Sequence, residues 1–145
     1  MSPAEGPRPA APHPVLNAML ISDQAIREEH TGKVSLIGIF ENIYSTAFPS
    51  AHPGCAVYVK VTDAFGDYDL SLDLVRVDDL QILGQGRVHA TVGDRLNPAE
   101  WVFNLNGLIF ERPGRYEFRL SANGQHVASK TFSVILSNQA PVQGG

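Results

Sequence analysis

The amino-acid sequence predicts an all-β domain built as a sandwich of two packed sheets, and three observations carry that prediction. Short runs that alternate apolar and polar residues recur along the chain, with turn-forming residues between them. No long window spaces its apolar residues at the 3.6-residue period of an amphipathic helix. Between Phe103 and Phe118, Phe103-x-Leu105-x-x-Leu108 is followed by Pro113-Gly114-Arg115-Tyr116-Glu117-Phe118, which reads as strand, turn and strand. In the second of these strands Tyr116, Phe118 and Leu120 face one way while Arg115, Glu117 and Arg119 face the other.

Taken in order, the first run is Val15 to Glu28, with a break or bend expected near Ser22-Asp23, and His30-Thr31-Gly32 turns it back into Lys33 to Tyr44 as a hairpin. In that second run Val34, Leu36 and Phe40 share one parity and Ile37, Ile39 and Ile43 the other. Either both faces are buried or a bulge lies at Gly38, and in both cases the run reads as a central strand. Ser45 to Gly54, rich in Pro, Ala, Ser and His, reads as a connection. Cys55 to Asp63 alternates through Val57, Val59 and Val61, and Ala64-Phe65-Gly66 turns the chain. Tyr68, Leu70, Leu72 and Leu74 then alternate with Asp67, Asp69, Ser71 and Asp73, the clearest half-buried strand in the sequence.

A weaker run, Gln81 to Val92, follows Asp78-Asp79 and is interrupted by Gly84 and Gly86. Trp101, Phe103 and Leu105 share a face of the next, Tyr116 opens another, and Val127 to Leu136 returns, for eight or nine strands in all. In the last hairpin, a two-residue Asn123-Gly124 turn puts Phe118 opposite Ser129 and sends Phe132 and Val134 outward. A three-residue loop, Ala122-Asn123-Gly124, is therefore predicted, with Phe118 opposite Ala128 and Phe132 and Val134 inward. It places Lys130 on the inner parity near Tyr116, tolerable if the ammonium reaches the rim along its stem.

The segment around Tyr116 resembles the corner between strands E and F of immunoglobulin domains, where a tyrosine two residues before the second core position ties the corner down. The resemblance implies an immunoglobulin-like antiparallel β-sandwich with Gly114, Tyr116 and Phe118 as structural corner residues. Phe118 stands where antibody domains carry the second disulfide cysteine, and Arg112 where many carry an aspartate, so neither antibody feature is implied. More broadly, Gly32-Lys33-Val34-Ser35-Leu36-Ile37-Gly38-Ile39-Phe40-Glu41-Asn42-Ile43, followed by Arg112-Pro113-Gly114-Arg115-Tyr116-Glu117-Phe118, resembles a family of small bacterial proteins of unknown function over residues 15–136. Its motifs are structural, and it implies no catalytic or binding residue.

At 145 residues the chain fits one domain. Residues 1–14, with Pro3, Pro7, Pro9, Pro12 and Pro14 among alanines, read as a disordered tail, and 137–145 as a flexible one, leaving 15–136 as the sandwich. Eleven basic against fifteen acidic side chains give a net charge of −4, and no basic cluster interleaves with aromatics, which argues against nucleic acid as a partner. Val15 to Ile21 is interrupted by Asn17 and has neither a basic leader nor a small-residue cleavage pattern, so it reads as neither a signal peptide nor a membrane span. Cys55 is the only cysteine; no internal disulfide can form, which suits a reducing cytoplasm.

Four groups of residues invite chemistry. Asp63, Asp67, Asp69 and Asp73 offer oxygen ligands for a divalent cation, but strand alternation spreads the last three over about 20 Å of a polar face, and no calcium-loop spacing is present. His52-Pro53-Gly54-Cys55 supplies two ligands where zinc takes three or four. Asp23, Glu28, Glu29 and His30 can do acid and base work if a cleft buries them, and otherwise make a charged edge that discourages aggregation. Tyr44, Phe48 and Phe65 fall in predicted loops, where large apolar side chains either cap the sandwich or meet a partner.

No nucleophile elbow, phosphate-binding glycine loop or metalloprotease helix occurs, and Gly84-Gln85-Gly86 alone marks none. The expected function is a non-enzymatic protein-binding or assembly module without a cofactor, able to self-associate through an edge strand or through Tyr44, Phe48 and Phe65. The alternatives are a small-ligand protein or enzyme with a cleft near Asp23, Glu28 and His30, and a cation-binding sandwich.

Overall fold

The computed structural model describes residues 11–138, among which there are nine strands and no helix. In chain order these are β1 (Val15–Arg27), β2 (Val34–Ile39), β3 (Asn42–Ser45), β4 (Ser50–Thr62), β5 (Gly66–Arg76), β6 (Gln81–Val92), β7 (Ala99–Phe110), β8 (Gly114–Ala122) and β9 (Gln125–Leu136). They form one sheet in the order β2-β1-β4-β7 and a second in the order β3-β9-β8-β5-β6. Alternating side chains of the two inner faces make the core: Val57, Val59 and Val61 of β4 meet Leu70, Leu72, Tyr116, Phe118, Leu120, Phe132 and Val134 of the other sheet. Full burial of each such side chain contributes roughly 1.5–3 kcal/mol. The fold is the expected all-β sandwich.

The corner expected at Tyr116 is formed. Tyr116 is fully buried and its Oη donates to the Arg112 carbonyl at 2.5 Å, four residues upstream, while Gly114 opens β8 opposite Val134. Phe118 faces the core, stacked on Phe132 at 5.3 Å between ring centres, and Phe110 meets Tyr116 edge-on at 4.9 Å.

The connection expected over Ser45 to Gly54 is shorter, since β4 begins at Ser50, and three further expectations about strands are corrected. Lys33 to Tyr44 is not one central strand. Its first part, β2, is the outer strand of the four-stranded sheet; the chain then crosses at Phe40-Glu41, and β3 becomes the outer strand of the other sheet, parallel to β9. Apolar residues on both parities thus reflect a change of sheet: Val34 and Leu36 are half-buried on β2 while Ile37 and Ile39 stay exposed, and Ile43, of the other parity, enters the core from β3.

The last hairpin does use the two-residue turn, with Asn123 at φ 51° and Gly124 at φ 79°, the left-handed pair of a type I′ turn. Ala122 pairs with Gln125 and Ser121 with His126; a bulge then shifts the register, so that Leu120 pairs with Ala128 and Phe118 with Lys130. The extra residue restores the inward parity of Phe132 and Val134 without a longer loop. Lys130 does take an inner position, opposite Phe118 rather than Tyr116, and its Nζ reaches Glu41 Oε1 at 2.9 Å.

The third correction concerns β1, which runs unbroken through Ser22-Asp23; its register irregularity lies between Leu16 and Ala18. The tail boundary also moves. Pro14 is buried and Tyr68 Oη donates to the Pro12 carbonyl at 2.6 Å, so residues 11–14 pack on the domain. Residues 1–10 and 139–145 of the expected tails lie outside the described residues.

Candidate functional site

The four-stranded sheet splits. From Val15 to Ser22, β1 pairs with β4, the last pair being Ser22 with Ala56; from Ser22 to Arg27 its paired neighbour is β2. β4 pairs with β7 from Val61 opposite Ala99 to Ser50 opposite Phe110, and past Ala56 it no longer pairs with β1. Two ribbons, β1–β2 and β4–β7, therefore diverge from Ser22 and Ala56 and leave a fork between them. Pro53 lies in the part of β4 that has a strand neighbour on one side only, where a missing backbone donor is tolerated.

The fork holds a groove of about 950 Å³. Asp23, Ala25 and Ile26 of β1 and Ile37 of β2 line one ribbon's side; His52, Pro53 and Cys55 of β4 with Asn104 and Asn106 of β7 line the other. Gly38 brings β2 close to the Asp23 side chain: it takes φ 71°, and a Cβ at this position would overlap Asp23 Oδ2. Asp23 is the one carboxylate among the lining residues. Burial, and secondarily the Asp23 charge, pushes the Cys55 thiol up to about 11, so it stays protonated at neutral pH and is a poor nucleophile. His52 Nε2 is buried without a hydrogen-bond partner among the described residues, and its ring lies 5.8 Å from that of Phe40. The groove thus offers one negative charge, several amides and an apolar flank, which suit binding.

Of the acid and base group, Asp23 alone lines the groove. Glu28, Glu29 and His30 are exposed in the β1–β2 turn, where Thr31 Oγ1 donates to Glu28 Oε2 at 2.6 Å. Nor are the three aromatics brought together. Tyr44, 47 % exposed, pairs with Ile135 near the end of β9; Phe48 packs partly on the core; Phe65, 48 % exposed, precedes β5. Through β9 and β8, Tyr44 stands beyond the Arg76 end of β5 and Phe65 before the Gly66 end, more than about 35 Å apart along the strand.

Among the described residues no three His, Cys, Asp or Glu side chains are grouped to hold a metal ion. Asp63 is paired with Arg95 at 2.8 Å, Asp67 accepts from Thr91 Oγ1 at 2.7 Å, and Asp69 lies 3.1 Å from His89 Nδ1. The Asp69 hydrogen bond is the main cause of a raised His89 pKa.

One surface escaped the sequence reading. Ile26 pairs with Ser35, Gln24 with Ile37 and Ser22 with Ile39, so Ile26, Ile37 and Ile39 share a face. They are 50, 47 and 55 % exposed, on a ribbon whose outer strand β2 ends the sheet. The charged run Arg27, Glu28, Glu29, His30 and Lys33 was the signal that this hairpin projects into water.

Residues 17–135 match DUF6941, a family of unknown function. The chain belongs to this family. The DUF6941 match takes in the fork, the projecting β1–β2 ribbon and the Tyr116 corner together, so these features lie inside the family's domain. No curated protein matches the chain. Among the described residues no helix is long and apolar enough to cross a membrane.

Proposed function

We propose that this DUF6941 member is a non-enzymatic protein-binding or assembly module whose contact surface is the β1–β2 ribbon. The reading rests on Ile26, Ile37 and Ile39, three large apolar side chains left about half exposed on one face of a ribbon that ends in an open strand edge. A second copy that pairs its own β2 antiparallel to this one makes a continuous sheet of eight strands and sets the isoleucines of the two copies side by side on one face. A stable pair needs roughly 800 Å² buried on each copy. The cytoplasmic, bacterial setting expected from the single cysteine and the family resemblance belongs to the same reading.

Sedimentation over an about 100-fold concentration range tests self-association, with Ile37→Lys as the control: the wild type is expected to move towards a dimer and the variant to stay monomeric. A wild type that stays monomeric throughout removes self-association and leaves a different protein as the partner.

The exposed Asp23 carboxylate and the buried His52 Nε2, without a hydrogen-bond partner among the described residues, favour a second reading, in which the fork takes a small cationic ligand. Asp23→Asn is then expected to abolish that binding.

A further inference from the structure

On the side of the sandwich where β6 and β7 form the free edges of their sheets, we infer a ligand site for a small uncharged amphiphile, an aromatic or branched aliphatic alcohol or amide. Residues 93–98 join β6 to β7 at the Val92 end, opposite Gly66, and along the stretch of Gly84 and Gly86 no strand bridges the two edges, so the interior is approachable there. In β6 the residues opposite buried Leu74 and Leu72 are Gly84 and Gly86. A side chain expected at these core-facing positions is missing twice in succession, and a Cβ added to either glycine meets nothing within 4 Å.

The space left is about 170 Å³. Leu72, Leu74 and Phe118, all at most 5 % exposed, line it from the five-stranded sheet, and Leu105 and Leu108 from β7. Inward parity on β7 changes between these two leucines: Phe103 and Phe110 are both buried, and the exposed Asn106-Gly107 lies between Leu105 and Leu108. Both leucines therefore reach the pocket. An apolar cavity of roughly 150 Å³ is enough to stay dry and hold benzene. The remaining lining side chains, Gln85 and Asn106, are neutral amides on exposed residues and can donate to or accept from a ligand's polar head, and no charged side chain lines the pocket. Size and apolar walls set the body of the ligand, and the amides set an uncharged head.

Benzyl alcohol is the probe, titrated into the full chain with backbone amide resonances observed and benzoate as the charged comparison. Saturable shifts are expected at Leu72, Gly84, Gly86 and Leu105, with benzoate at least about tenfold weaker. Gly86→Val fills the space: it is expected to weaken benzyl alcohol at least about tenfold and leave or raise the melting temperature. Should Gly86→Val not fold, Gly84→Ala is read by the same measure. No saturable shift at these amides, benzoate binding as tightly, or undiminished binding by a folded filled variant each overturns the proposal. Sedimentation is a separate readout, so failure here leaves the β1–β2 surface standing.

Discussion

Tyr116 makes the corner with one atom. Its hydroxyl satisfies the Arg112 carbonyl, so Tyr116→Phe is expected to cost about 1 kcal/mol, read as a shift in urea midpoint with an unchanged slope. Arg76, 7 % exposed, is held by Asp79 (2.7 Å from Nη2 to Oδ2) and donates to Gln81 as well. The hydrogen bond from Arg76 is the main cause that holds the Asp79 carboxyl well below the usual carboxylate range. Its contribution is therefore full above the unfolded pKa of about 3.9 and fades as pH falls below that towards the depressed folded value. Asp79→Asn is expected to flatten the acid limb of stability against pH, measured by thermal melts from neutral pH down to about 2. The inward facing of Tyr116 and Phe118 was legible from spacing, and the corner role of Tyr116 from the resemblance to immunoglobulin domains. The Arg76 cluster was not, because Arg76 approaches Asp79 through a turn and Arg112 approaches Asp78 from another connection at 2.9 Å.

At the scale of strands, parity located the inward residues of β5 and β8 and misled on β2. A two-residue period reports which face a side chain takes, and it cannot tell a strand buried on both faces from a chain that changes sheets midway. The last hairpin shows the same limit: Asn123-Gly124 was the right turn, and a bulge one step inside the strands reconciled it with the inward Phe132. Gly38 tests the fork at this scale. Gly38→Ala forces a side chain into a left-handed conformation and against Asp23, with an expected loss of about 1–2 kcal/mol. Adding Asp23→Ala relieves the overlap but not the backbone strain, so a double-mutant cycle by urea unfolding is expected to return part of the loss.

For the whole molecule, the open edge and the exposed isoleucines predict association that responds to concentration and is lost in Ile39→Lys as in Ile37→Lys, by sedimentation, while the melting temperature stays within a few degrees. The sandwich itself was readable from residue order, because alternation, turn chemistry and the Tyr116 corner are local signals that a packed pair of sheets requires of its strands. Sheet order, the crossing at Phe40-Glu41, the fork beside Asp23 and the space under Gly84 and Gly86 came from the folded arrangement. Each depends on which strand lies next to which, and pairing between distant segments is chosen by the packing of the entire core, which no short window of residues encodes.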